Sequence, residues 1–77
     1  MSCIFFVAGD IEKARQAVES NGGTFVGDYG YGTFSGSGIQ GEYRKLMGGD
    51  SYVVTITKKP WLVSCGYIEG KIKEYFK

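Results

Sequence analysis

Residues 29–43 read YGYGTFSGSGIQGEY. Five of the fifteen are glycine, and Gly36, Gly38 and Gly41 fit the pattern G-x-G-x-x-G. How this stretch is read decides the fold. A dinucleotide-binding loop needs a strand before the glycines and a helix opening on them. Here EYRKLMGGD (42–50) follows, a strand-like run that breaks at Gly48-Gly49. A kinase-type glycine hairpin needs a lysine, a catalytic loop and metal-binding motifs, and none of these is present. A disordered linker does not carry three tyrosines, a phenylalanine and an isoleucine in so short a run. What remains is a set of strands with glycine at turns, bulges or sharply twisted points of a curved sheet.

Working outward, the whole segment 24–59 shows no helical period. Thr, Phe, Val, Tyr and Ile dominate it, and four strands are predicted, at about 24–28, 32–36, 38–46 and 51–58. In the third, Ile39, Gly41 and Tyr43 share one face and Gln40, Glu42 and Arg44 the other. In the fourth, Tyr52, Val54 and Ile56 alternate with Val53, Thr55 and Thr57. The connections are GDYGYG, SGSG and MGGD, where glycine and aspartate suit the positive φ of hairpin turns. Gly36 and Gly38 are the candidates for such φ in the middle connection.

Upstream, CIFFVA (3–8) is apolar at every position and reads as a strand covered on both faces. GDIEKARQAVESNGG follows. Asp10 can cap a helix whose stripe is Ile11, Ala14, Ala17 and Val18, and Asn21-Gly22-Gly23 ends it. Downstream, Pro60 suits a helix start, and Trp61, Cys65, Ile68, Ile72 and Tyr75 recur at helical spacing. Ser64 is the alternative cap, with the helix then beginning at residue 65. The fold class is therefore α+β: one antiparallel sheet in the order β-α-β-β-β-β-α, with the C-terminal helix packed on it.

The totals narrow the function. Seventy-seven residues make one small domain, 1–77, with a net charge of +1, no histidine and two cysteines. A domain this size buries only ~60% of the surface its unfolded chain exposes, so a staple or a partner would help it. The balanced charge gives no case for a polyanion. Without histidine the commonest general base and metal ligand are missing, and no pair of nucleophile and base is recognisable. An enzyme, a cofactor and a metal are all unexpected. The start MSCIFFVAGDIEK has no basic region ahead of its short apolar run, so it does not read as a signal peptide. No run approaches the ~20 apolar residues of a membrane span. The expectation is a cytoplasmic protein, with Cys3 and Cys65 reduced and Cys65 an inert thiol on the apolar stripe. A Cys3–Cys65 disulfide is the less favoured alternative.

GTFSGSGIQGEY, followed by SYVVTITKKPWLVSCGYIEGKIKEYF, resembles small uncharacterised bacterial proteins of the TATA-binding-protein-like type. That is the minimal form of the START-related (SRPBCC, helix-grip) architecture, and the stretch is also similar to polyhydroxyalkanoate-granule-region proteins. The shared features are a glycine-bracketed strand, an alternating Val/Ile/Thr strand, a lysine-proline junction and a last helix. The resemblance implies a curved sheet gripping the C-terminal helix. The chain lacks the extra strands and long loops of the larger relatives, and with them the deep private cavity.

The candidate binding residues are Tyr43, Tyr52, Trp61, Val63, Gly66, Tyr67 and Gly70. Tyrosine buries area while keeping a polar tip wet, although ordinary packing also explains a tyrosine-rich set. Trp61 is either a binding wall or a core anchor at the helix start. Gly66 and Gly70 make a smooth strip on the last helix, flanked by Val63 and Tyr67. Lys58, Lys59, Lys71, Lys73 and Lys77 read as a solvated face because Glu69 and Glu74 are interleaved. The expected function is a non-enzymatic binding module, with a partner or ligand held between the curved sheet and the last helix. Its partner is another protein, a second copy in a homodimer, or a small apolar ligand. The alternative is a nucleic-acid binder using a tyrosine-rich sheet face near Arg44, Lys45 and Lys58.

Overall fold

A computed structural model describes residues 3–76; Lys77 lies outside the described residues. The elements are β1 (Cys3–Ala8), α1 (Ile11–Ser20), β2 (Thr24–Gly27), β3 (Tyr31–Gly36), β4 (Ile39–Lys45), β5 (Ser51–Lys58) and α2 (Cys65–Tyr75). The strands form one antiparallel sheet in the spatial order β1-β5-β4-β3-β2. The fold is thus α+β in the element order read from the sequence, and the sheet is not strongly curled.

The glycine-rich stretch is a hairpin of β3 and β4. Its turn uses Ser37 at φ 53° and Gly38 at φ 79°. Two central residues at positive φ match the right-handed twist of the flanking strands. Gly36, an expected site of positive φ, is not one; Ser37 takes that place. The other glycines of the hairpin act by being small. Gly32 stands opposite Tyr43, and Gly41 opposite Phe34. A Cβ on Gly41 would sit 2.6 Å from the Phe34 ring, and one on Gly32 would collide with the Tyr43 phenol. Each ring therefore lies over a cross-strand glycine, and the hairpin packs flat against the layer above it.

That layer is the two helices. Asp10 caps α1, its carboxylate accepting from the Glu12 N–H at 2.9 Å. Ile11, Ala14 and Val18 face inward. Ser64 caps α2, its hydroxyl accepting from the Tyr67 N–H at 3.2 Å. Ile68 and Ile72 of α2 are buried with Phe76 beyond its end. The core lies between the layers: Cys3, Phe5 and Val7 of β1, Phe34, Tyr43, and Tyr52, Val54 and Ile56 of β5 meet those helical residues.

Two expectations change, and one open choice is decided. β1 is not covered on both faces: it alternates, with Ile4 and Phe6 66% and 63% exposed. Both helices pack on the same face, and β1 is an edge strand, so its even-numbered residues have nothing above them. Of the two helix starts left open by the sequence, the later one holds: α2 starts at Cys65, because Ser64 supplies the cap, and residues 60–63 form a turn closed by the Val63 N–H to the Pro60 carbonyl. The cysteines are not free thiols. Cys3 and Cys65 are disulfide-bonded, their Cα atoms 5.7 Å apart across 62 residues of chain.

Two measurements check this packing. Ile68→Ala or Ile72→Ala should each cost ~2–5 kcal/mol in a urea titration, against a few tenths for Lys71→Ala. Reducing the disulfide reopens a long loop in the unfolded chain and should cost about 4 kcal/mol. A denaturation midpoint unchanged by dithiothreitol would show that the bridge does not constrain the fold.

Candidate interaction surfaces

The helices leave one face of the sheet open. Strand register sets two central rows of its residues, with a shorter row beyond each. One row runs Phe6, Val53, Arg44, Tyr31. The other runs Ile4, Thr55, Glu42, Thr33, Val26. Ile4, Phe6, Val26 and Tyr31 are exposed, so the apolar residues sit toward both edges and the charges on the central strand. Beside the second row is a hollow of about 250 Å³ lined by Thr24, Val26, Thr33, Ser35, Gln40, Glu42 and Thr57. Tyr31 ties the charged pair together without joining it. Its hydroxyl donates to Glu42 at 3.2 Å, and the Arg44 guanidinium lies 5.7 Å from its ring centre. The ion pairs among the described residues, Arg15–Glu12 and Lys73–Glu69, involve neither Glu42 nor Arg44.

On the helical side, a cleft of about 310 Å³ opens between the end of α1, the β3–β4 turn and α2. Its walls are Phe34, Ile39, Tyr67, Ile72 and Tyr75, with Lys71 at the margin. Deeper in, the space between sheet and helices closes to about 10 Å³.

The sequence candidates scatter. Tyr43 and Tyr52 are core residues, 2% and 4% exposed, and present nothing to a partner. The Tyr43 hydroxyl donates to the Asp28 carbonyl at 2.6 Å, and its ring stacks on Phe25 at 5.1 Å. A tyrosine-lined nucleic-acid platform on the sheet is therefore missing two of its members; Tyr31 alone of the strand tyrosines faces outward, and Tyr29 lies on a loop. Trp61 is not a core anchor. It is 86% exposed beside exposed Leu62, because the turn at Pro60 carries it away from the sheet. Val63 is half-buried against the core, its carbonyl accepting from Lys59 Nζ at 2.7 Å. Tyr67 lines the cleft. Gly66 and Gly70 have open space around them, so their strip is uncovered. Missed by sequence reading were Ile4 and Phe6, hidden in an unbroken apolar run.

Burial pushes the Tyr43 and Tyr52 phenols up from their ordinary range, the Asp28 carboxylate adding to the effect at Tyr43 and that of Asp50 at Tyr52. The backbone N–H groups of Gly30 and Tyr31 hold the Asp28 carboxyl down by donating to it. Among the described residues no helix is long and apolar enough to cross a membrane. No family model, no curated protein and no solved structure matches the chain.

The raised phenols give an alkaline prediction. A neutral tyrosine favoured by the fold stabilises fully below its unfolded pKa of about 10. As pH rises past that value the unfolded chain loses its protons first, and the stabilisation falls away through the folded values. The urea midpoint should be flat between pH 7 and 9 and drop above 10. Tyr43→Phe should lower it at pH 7, where the hydrogen bond to Asp28 is lost, and make the alkaline drop shallower. An alkaline drop as steep as that of the parent would show that the Tyr43 phenol has no such role.

Proposed function

We propose that this chain is a non-enzymatic protein-binding module that presents the open face of its sheet. The observation that carries the reading is the pair Ile4 and Phe6, both more than three-fifths exposed on the same face, with Phe6 opposite Val53 and Ile4 opposite Thr55. An edge strand normally meets water with charge, proline or a bulge, which blunt pairing and aggregation. β1 has none of these and carries two large apolar side chains instead. Contiguous apolar surface of this kind on a small domain marks a contact site.

The surface differs from the one expected from sequence, which lay between sheet and last helix. Among the described residues that space is nearly filled, and the 310 Å³ cleft opens at its end. The cleft supports a second reading, a small ligand with an apolar body, because its walls are aromatic and aliphatic and Lys71 stands at its rim. The kinship with TATA-binding-protein-like and helix-grip proteins is likewise a proposal supported by element order; fold kinship carries no activity by itself. The disulfide favours an extracellular or periplasmic setting over the cytoplasm, since reducing compartments keep thiols open.

Native mass spectrometry of the protein isolated from its host tests both readings. The parent should travel in a complex with protein, and Phe6→Lys should release it while leaving the melting temperature within a few degrees. A parent found as a bare monomer overturns the protein-binding reading. A parent carrying a small-molecule adduct that is lost in Tyr67→Ala supports the cleft instead.

A further inference from the structure

We propose that the open face binds a second copy of this chain, forming a two-fold dimer in which two sheets stack face to face between outer helices. The inference rests on the protein-binding reading of that face and names its partner. Charge complementarity on the face points to a second copy. Glu42 and Arg44 project from the central strand β4, one side-chain step apart, with Tyr43 between them on the other face. Neither has an ionic partner among the described residues.

Consider a two-fold axis lying between the sheets, perpendicular to the strands, at the level of Tyr43. It turns one row of the face onto the other. Arg44 meets Glu42 of the second copy, and Glu42 meets Arg44. At one edge Phe6 meets Ile4 of the second copy, and Ile4 meets Phe6. Val53 comes over Thr55, and Tyr31 over Thr33. At the β1 edge apolar side chains find apolar side chains, and at the centre each charge finds its opposite, as a self-complementary two-fold contact requires. An axis along the strands would instead stack Arg44 on Arg44, so the charges choose the arrangement. The relative tilt then follows from sheet twist, at about 30° with the sheets ~10 Å apart.

The area is adequate. Five strands ~4.8 Å apart and about six residues long give a face of roughly 500 Å² per copy. About 1,000 Å² in total is the lower bound of specific interfaces and fits a dimer of micromolar strength. Tyr31 prepares the contact by holding Glu42 through its hydroxyl and Arg44 over its ring, which limits the side-chain entropy lost on pairing.

Sedimentation of the purified protein with charge-reversed variants decides it. The parent should dimerise at tens of micromolar. Arg44→Glu places four carboxylates in the contact and Glu42→Arg four guanidinium groups, so each alone should weaken the dimer by more than about tenfold. An equimolar mixture of the two variants should recover a heterodimer, because each then faces its opposite. The double variant Glu42→Arg/Arg44→Glu should also recover. Thermal melts of every variant establish that it is folded. A dimer indifferent to both single reversals overturns the arrangement and points to pairing along the β1 edge. A parent that stays monomeric alone, yet travels with a different protein when isolated from its host, also overturns this inference while leaving the protein-binding reading intact.

Discussion

Two aromatic rings lying on two glycines set the geometry of this protein. Phe34 covers Gly41 and Tyr43 covers Gly32 across the β3–β4 hairpin, and an added Cβ at either glycine has no room. The rings fill the space two side chains would have taken, so the hairpin presents a flat apolar surface. Phe25 stacks on Tyr43, and Tyr43 meets Tyr52 edge-on, which extends the aromatic layer from β2 across to β5. Tyr52 in turn touches Phe76 at the end of α2. A chain of rings thus runs across the sheet and fixes which face the helices cover.

That choice of face governs everything outside the core. Two helices of ten and eleven residues have width for one face of a five-stranded sheet and no more. The layer they cover takes the aromatic residues of β3, β4 and β5 except Tyr31. The disulfide then joins the first residue of the sheet to the first of α2, where edge strand and helix would otherwise have only side-chain packing between them. Small domains with a single thin core gain most from such a bridge, because it acts on the unfolded chain rather than on a crowded interior. The exposed face has no compensation of that kind within the chain.

Much of this was legible in the residues. Alternation along 39–44 and 52–57 fixed both faces of the two central strands, and Asp10 and the glycines after Ser20 bounded α1. Three features were not legible, each for a physical reason. CIFFVA has no alternation, so periodicity could not separate a strand covered twice from an edge strand covered once; only the number of helices available decides that. Trp61 fell in register with the α2 stripe by spacing alone, while the Ser64 cap and the turn at Pro60 determined where the helix begins. Cys3 and Cys65 are too far apart in sequence to signal contact, and they meet because α2 returns to the start of β1. Of the candidate site residues, Tyr67 lines a cleft and Trp61 is solvent-facing, whereas Tyr43 and Tyr52 serve the core. A tyrosine in a strand looks the same from sequence whichever face it takes until the layer above it is known.

Glycine content and surface character are therefore linked here. Placing Gly32 and Gly41 under rings gives up side-chain burial at two central positions of the covered face, and the core gains thinness and flatness in exchange. A thin core on one side of a sheet has no means of gathering in the apolar residues of the other side. Ile4, Phe6 and Val26 stay exposed not because the strands are badly patterned but because both helices pack on the other face. The open face sets Ile4, Phe6 and Val26 around Glu42 and Arg44, which enter no ion pair among the described residues, and these are the features on which the proposed pairing with a second copy rests.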